Sequence, residues 1–405
     1  MNARKALFWL HLVIGVVAGG VILVMAVSGC MIAYQRQIIA LAERGVATVT
    51  PPPSGAVPLR PEAIAEKVAT ALPQSQPTGF TLRRDPASSV TVNLGRERTL
   101  FVDPYNGTVL GEGSWMRGFL HDVEHLHRDL ALGQPGRAIT GACTLAFLVL
   151  LLSGLFLWLP RTWTRKGVRA IAVPSLKLKG RARDWNWHNA LGIWSALPLL
   201  IAIVTGVVMS YPWANNLLYT MTGNQPPPPR TAPQPKGEGA RREPARFDFR
   251  GFNERWTQAE QQVPGWQSIS ARLPESAGGP LTFLIDEGDG TRPDTRSQLL
   301  LDPKSGAVRR WEPFSSHNLG RQLRMWTRPV HTGEALGLAG QTLAASATVG
   351  ACILVWTGFA LSWRRFRRRQ SGTQAREEPI AAPGDIPLAE LGANASPLTH
   401  HSTIA

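Results

Sequence analysis

The sequence predicts an α-helical membrane protein in which four transmembrane helices alternate with two α+β segments outside the membrane. Four apolar runs are each long enough to cross a bilayer, which takes roughly 20 helical residues. Short basic stretches flank these runs, and the second half of the chain repeats the plan of the first. Together these observations predict a duplicated plan of helix, extramembrane module and helix.

The apolar runs set the boundaries of the membrane segments. The first run is longer than the apolar core of a signal peptide, and no small-residue cleavage site follows it promptly, so we expect it to be retained. We place the four transmembrane segments, the second with its lead-in, at residues 6–34, 127–160, 188–211 and 331–363.

The net charge of +15 has a topological explanation. Basic residues precede the first run, crowd the 161–187 loop and follow the fourth run, and the positive-inside rule places all three stretches in the cytoplasm. We therefore expect no nucleic-acid partner, and predict a multi-pass protein of the bacterial inner membrane with both termini cytoplasmic. Segments 35–126 and 212–330 are then periplasmic, and 364–405 is a basic and then disordered cytoplasmic tail.

The two periplasmic segments share one plan, in which a helical stretch is followed by three strand-like stretches and a turn that begins Asp-Pro. In the first segment these are 61–72, then 80–84, 90–94 and 99–102, and the turn 103–107. In the second segment a Pro-rich linker at 226–229 comes first. The helical stretch is 253–262, the strand-like stretches are 268–272, 281–285 and 297–301, and the turn is 302–306.

Histidines stand at matching positions of the repeat. Aligning the first apolar run with the third brings His11 onto His188, and aligning the second with the fourth brings His127 onto His331. His11 and His188 begin outward-going helices, so both lie near the cytoplasmic face, whereas His127 and His331 lie near the outer face. A lone histidine at a helix end is more often an interfacial hydrogen-bonding residue. Two level-matched pairs instead favour bis-histidine haem iron at each surface.

Further polar residues lie near the outer pair. His121 and His125 share a helix face that excludes His127, and they belong either to a solvated helix or to a substrate or metal contact. Arginines pair with carboxylates, although Trp and Arg are also typical of membrane interfaces. The candidate contacts to a substrate or to haem propionates are His125, Arg128, Arg324, Trp326 and Arg328. No nicotinamide or flavin motif, P-loop or nucleophile elbow is visible, so no catalytic side chain is assigned.

Two strings resemble the PepSY-associated transmembrane-helix family: Trp187 to Gly192 with Thr205-Gly206, and His331 to Gly337. The resemblance covers nearly all of residues 5–366, and the two outer segments are similar to PepSY modules. The family includes iron-regulated inner-membrane proteins, some of them similar to ferric-siderophore reductases. The resemblance implies two haem b groups, one held by His11 and His188 and the other by His127 and His331.

These observations predict a membrane-bound oxidoreductase. Electrons from a cytoplasmic or membrane donor would cross to the outer haem and reduce a ferric siderophore or another ferric chelate. The alternatives are a haem-free PepSY adaptor or peptidase regulator, and a small transporter built on the duplicated bundle. A haem absorption spectrum of the purified protein distinguishes the first reading from the other two.

Overall fold

The computed structural model describes residues 3–53, 56–95, 98–160, 163–228, 247–274, 276 and 278–377. The helices are α1 (Ala3–Ile32), α2 (Gln35–Ala42), α3 (Arg44–Ala47), α4 (Pro61–Ala71), α5 (Trp115–Asp129), α6 (Gln134–Trp158), α7 (Arg165–Ala172), α8 (Gly180–Ser210), α9 (Pro212–Met221), α10 (Phe252–Gln262), α11 (Leu319–Thr332) and α12 (Gly337–Glu377). The strands are β1 (Gly79–Arg83), β2 (Val90–Leu94), β3 (Arg98–Val102), β4 (Val109–Glu112), β5 (Ser268–Arg272), β6 (Leu281–Asp286), β7 (Arg296–Leu301) and β8 (Val308–Pro313).

Four of the described helices, α1, α6, α8 and α12, are long and apolar enough to cross a membrane. Their large apolar side chains mostly point outward, whereas a narrow core between them contains small and branched residues. Small residues at such contacts let the backbones of neighbouring helices approach closely. The interior contains Ala26, Leu151, Ala196, Leu199, Ile203 and Ala351. The chain is therefore a multi-pass membrane protein.

Two of these helices run beyond the predicted boundaries. α8 begins at Gly180 rather than at residue 188. α12 begins at Gly337 rather than at residue 331, because 331 and 332 end the separate helix α11, and it continues to Glu377 rather than ending at 363. The extra turns of the two helices are joined by an ion pair, because buried Asp184 of α8 pairs with Arg364 of α12 at 2.8 Å. Hydropathy marks only the part of a helix that lies in lipid. The rest of the predicted disordered tail, 378–405, lies outside the described residues, as does Pro229 of the predicted linker.

The strands form a single antiparallel sheet of eight in the order β4-β3-β2-β1-β5-β6-β7-β8. β1 and β5 join its halves, with Phe80 opposite Ala271 and a 2.9 Å hydrogen bond between the hydroxyls of Thr81 and Ser270. The two predicted modules therefore share one sheet. Pairing β1 with β5 covers the edge strand that each four-stranded half would otherwise expose.

One hydrophobic core runs through both halves of the sheet domain. Helices α4 and α10 contribute Ile64, Val68 and Trp256, which are buried together with Phe80 and Phe283 from the strands. The two helices predicted in these segments, α4 and α10, and the six predicted strands are confirmed, with ends shifted by at most one residue. The sequence does not reveal β4 and β8, because β4 has only four residues and β8 carries adjacent charged residues that break the alternation.

Polar contacts tie the sheet domain to the helices. Arg117 at the start of α5 makes a bidentate ion pair with buried Glu43, at 3.0 and 2.5 Å, and Glu43 also accepts from the N–H of Ser114. Arg36 donates to the carbonyls of Asp289 and Gly290, both at 2.6 Å. We call the membrane surface next to this domain the sheet side, and the surface next to α7 the loop side.

Candidate functional site

The four repeat-related histidines form two facing pairs. On the loop side, the rings of His11 and His188 have centres 6.4 Å apart and planes at 85°. On the sheet side, the rings of His127 and His331 have centres 6.4 Å apart and planes at 65°. The structure thus brings together the residues that the helix levels predicted as partners, one from each half of the chain.

The sheet-side histidines lie on α5 and α11, short helices that turn sharply into the spans α6 and α12. At both turns a glycine approaches the backbone so closely that a Cβ could not fit. A side chain at Gly136 would overlap the carbonyl of Asp129, and one at Gly340 would overlap the carbonyl of Gly333. These tight reversals hold His127 and His331 against the bundle.

On the loop side, each ring is anchored by the span beside it. Nδ1 of His11 lies 2.8 Å from the hydroxyl of Ser153, and Nδ1 of His188 lies 2.9 Å from that of Thr357. A backbone carbonyl three residues before each hydroxyl also accepts a hydrogen bond from the ring. These carbonyls belong to Leu150 and Leu354.

The sheet-side rings use the same pair of groups. Nδ1 of His127 lies 2.8 Å from the carbonyl of Met25 and 3.3 Å from the hydroxyl of Ser28. Nδ1 of His331 lies 2.8 Å from the carbonyl of Ala202 and 3.0 Å from the hydroxyl of Thr205. Every histidine of the four is therefore held by a hydroxyl and by the carbonyl three residues earlier.

These contacts assign the ring tautomer. A carbonyl can only accept, so Nδ1 of each ring carries the proton and donates it. The hydroxyls agree, because each donates its own hydrogen to the carbonyl four residues earlier in its helix: Val24, Val149, Ile201 and Ile353. In the neutral imidazole Nε2 then keeps its lone pair. This is the form in which imidazole binds a metal.

Burial lowers the pKa of His127, and it lowers the pKa of His331 to about 4. Both rings are consequently neutral at physiological pH, which leaves Nε2 available as a ligand without prior loss of a proton.

A glycine next to each anchoring hydroxyl makes room for the ring. A Cβ on Gly29 would lie 3.2 Å from Cε1 of His127, and one on Gly154 would lie 3.3 Å from Cε1 of His11. The corresponding distances are 3.5 Å at Gly206 and 3.6 Å at Gly358. Each span thus presents a Ser-Gly or Thr-Gly step to one imidazole. Thr205-Gly206 belongs to the strings that carry the family resemblance, but the anchoring role of the hydroxyls was not predicted, although a Ser-Gly or Thr-Gly dipeptide occurs in all four spans.

The ring spacing fits a metal held between two imidazoles. With about 1.1 Å from ring centre to nitrogen and metal–imidazole bonds of about 2.0–2.1 Å, coaxial ligands place ring centres roughly 6.3 Å apart. Among the described residues, no group of three or more His, Cys, Asp or Glu side chains is placed to hold an ion. Each pair supplies two ligands, and a haem brings the other four nitrogens itself. The donor set therefore fits a haem better than a free ion.

A cavity of about 1180 Å³ opens around the loop-side pair. All four spans and α7 line it, and its walls are largely apolar, from Gly19 and Ala351 down to Trp158. Arg4 and Arg364 have partners within the protein, because Arg4 donates to the carbonyls of Leu157 and Leu159 and Arg364 pairs with Asp184. Both belong to a group of basic side chains that line the end of the cavity nearest the loop side. These are Arg4, Arg181, Arg364, Arg365 and Arg367.

Two of the side chains predicted to contact a substrate or a propionate, His125 and Arg128, lie together on α5. Arg128 lies 3.1 Å from Nδ1 of His125, and the two surround the buried carboxylate of Asp129 with Arg137. The ring of His125 meets that of His121 edge to face, with centres 4.6 Å apart and planes at 65°. Asp129 was not predicted from the sequence, because its burial depends on the turn into α6.

The remaining predicted contacts lie on α11. Arg324 donates to Asn215 of α9 at 3.0 Å, and Trp326 lies under the guanidinium of Arg292 at 6.0 Å. Arg328 is exposed. These side chains surround the site without converging on the imidazoles of His127 and His331, so their roles toward a substrate or a propionate stay predictions.

No curated protein matches the chain. The model of a family described as the PepSY-associated TM region matches residues 8–365. Because that match spans most of the sequence, the chain belongs to the PepSY-associated transmembrane family.

Proposed function

We propose that this chain is a di-haem b transmembrane electron-transfer protein that reduces a ferric siderophore or another ferric chelate. The observation that carries the proposal is the pair of imidazole sites. Each has two rings with centres 6.4 Å apart, each ring is anchored through Nδ1, and the two sites lie at opposite ends of one helix bundle.

Each histidine has a defined role in this proposal. His11 and His188 would hold the loop-side haem, and His127 and His331 the sheet-side haem, with Nε2 as the ligand atom. A bis-histidine haem supplies one-electron chemistry without an open coordination position. The hydroxyls and carbonyls on Nδ1 orient the rings and increase their basicity as ligands.

The sites are separated along the helices by most of a membrane. In α1 the loop-side ligand His11 precedes the sheet-side anchor Ser28, and in α8 His188 precedes Thr205 at the same spacing. That spacing corresponds to about 25 Å of helix, against a hydrocarbon core of roughly 30 Å. The same two spans therefore contribute to both sites, which supports a path for electrons across the bilayer.

The basic flanks support an orientation. The loop side carries Arg165, Lys166 and Arg169 on α7, together with the arginines at the cavity end, so the positive-inside rule makes it cytoplasmic. The sheet domain is then periplasmic and the membrane is the bacterial inner membrane. Electrons would enter from a cytoplasmic or membrane donor and leave toward the periplasm.

The sheet-side surroundings favour an anionic substrate. Arg128 and Arg328 are exposed near the His127 and His331 pair, and arginines hold carboxylates and similar anions by charge-assisted hydrogen bonds. Siderophore oxygen donors are hard ligands that prefer Fe(III) to Fe(II), so one-electron reduction of the bound iron favours its release. The protein contributes placement and tuning of potential, not covalent catalysis.

The absorption spectrum and haem content of the purified protein test the proposal. We expect a Soret band and about two haems per chain, with His331→Ala and His127→Ala each reducing haem content by about half. His125→Ala is the matched control, because its ring lies on the same helix as His127 but faces away from the pair. It should keep both haems.

Activity provides the second readout. The His331→Ala protein should fail to reduce an external ferric chelate, measured with a ferrous-iron chelator, while its remaining haem is still reducible. A colourless wild-type protein, or four single histidine variants with unchanged haem content, would refute the di-haem function. The hypothesis of a haem-free PepSY adaptor would then replace it.

A further inference from the structure

We infer that α5 and α11, together with α9, are interfacial helices whose outer faces rest in the lipid of the sheet-side leaflet. They extend the membrane contact of this protein beyond its four spans. The inference concerns a surface and does not depend on haem binding.

Each of the two helices has a stripe of exposed apolar side chains. The stripes occupy equivalent positions, since the alignment that brings His127 onto His331 also superimposes one stripe on the other. Their members are between 36% and 74% exposed. On α5 the stripe contains Trp115, Phe119 and Leu126, and on α11 it contains Leu319, Leu323 and Val330. α9, which packs against α11, adds Trp213, Leu217 and Met221, also exposed.

The stripes have a polar opposite face. With 100° per residue, Trp115, Phe119 and Leu126 fall within about 40° of one another on the helix circumference. Most of the charged and polar residues occupy the other side: Arg117, His121, Glu124 and Arg128 on α5, and Arg321 and Arg328 on α11. Exposed Asp122 of α5 is different, because it falls about 20° from Trp115 at one edge of the stripe. A narrow apolar face beside a strongly polar one is the pattern of a helix that lies at a membrane surface.

The stripes lead into the lipid-facing surface of the spans. Leu132 follows α5 and Leu336 follows α11, at equivalent positions, and they are 60% and 75% exposed. Exposed Ile139 on α6, and exposed Leu338 and Leu343 on α12, follow along the chain. The apolar surface therefore continues from the interfacial helices to the membrane belt.

Lipid accounts for the stripes better than a protein partner. α5 packs on α1 and α11 packs on α8, and His127 and His331 face each other across the site, so the two helices flank it from opposite sides. A single globular partner would have to wrap around the bundle to cover both stripes. The bilayer already surrounds the bundle, and burial of Trp and Phe at its interface is favourable.

Spin labels at single cysteines test this placement in lipid nanodiscs of phosphatidylethanolamine and phosphatidylglycerol. The labelled variants are Phe119→Cys and Leu323→Cys, with Glu124→Cys and Arg321→Cys as controls on the polar faces of the same helices. The native cysteines at 30, 143 and 352 are replaced by serine. Collision with oxygen, which concentrates in lipid, is compared with collision with a water-soluble nickel chelate.

We expect the oxygen-to-nickel collision ratio at 119 and 323 to exceed that at 124 and 321 by about threefold or more. Equal ratios would place the stripes in water and overturn the inference. Low accessibility to both agents would indicate a protein contact, such as a second copy, and would overturn it as well.

A second measurement leaves the native cysteines in place, so that it does not depend on folding of the serine-substituted protein. A photoreactive benzoyl-phenylalanine at 119 or 323 should add the mass of a phospholipid on irradiation. Cross-linking to protein only, or to neither lipid nor protein, would count against the inference.

Discussion

The hydroxyl that anchors each imidazole should matter most where it is the closest partner of the ring. At the loop-side pair, Nδ1 of His11 lies 2.8 Å from the hydroxyl of Ser153. At the sheet-side pair, Nδ1 of His127 lies 2.8 Å from the carbonyl of Met25, and the hydroxyl of Ser28 is more distant at 3.3 Å. Replacing Ser153 with alanine therefore removes a short hydrogen bond, whereas replacing Ser28 leaves the shortest one in place.

The expected magnitude follows from this difference. One hydrogen bond contributes about 0.5–1.5 kcal/mol, and losing a partner behind a ligand typically weakens metal binding about 10–100-fold. We expect Ser153→Ala to accelerate loss of the loop-side haem about tenfold, and Ser28→Ala to accelerate loss of the sheet-side haem less than about threefold. Ser153→Thr should restore nearly normal retention, since threonine occupies the equivalent positions at 205 and 357.

The two haems must be observed separately. Ser153→Ala is therefore measured in a His331→Ala background, which keeps only the loop-side haem, and Ser28→Ala in a His188→Ala background, which keeps only the sheet-side haem. Transfer of haem to an excess of a haem-scavenging protein is followed at the Soret band. An equal effect of both substitutions, or a larger effect of Ser28→Ala, would refute the assigned hydrogen bonds.

Three further predictions use other contacts. A Cβ at Gly154 would lie 3.3 Å from the ring of His11, whereas one at Gly358 would lie 3.6 Å from the ring of His188. Gly154→Ala should therefore change the absorption spectrum of the loop-side haem, and Gly358→Ala should not. Equal changes would contradict the difference in spacing. Asp184→Asn removes the buried charge beside partly exposed Arg364 and should lower the free energy of unfolding by about 1–3 kcal/mol, measured by thermal unfolding in detergent, with no change counting against the ion pair. A reporter fused at Gly306 should be active only if it requires export, and activity of a cytoplasmic reporter there would reverse the orientation.

The local pattern of the sequence determined the elements and the histidine levels. Length and apolarity of a run fix a transmembrane helix, because lipid offers the backbone no hydrogen-bonding partner. Alternating apolar residues defined strands such as β2 and β6 almost to the residue. The repeat then assigned His11 and His188 to one face and His127 and His331 to the other, and the structure places each pair together.

The tertiary structure decided how the halves meet. Pairing of β1 with β5 joins Thr81 to Ser270, residues far apart in sequence, and no pattern within either strand marks it. The burial of Asp129 and Asp184 depended likewise on turns and on helices that extend past the membrane. The anchoring of Nδ1 by Ser28 or Thr205 also came only from folding. A hydroxyl in an apolar helix bonds its own backbone equally well in isolation, and only the packing of a neighbouring helix brings an imidazole within reach.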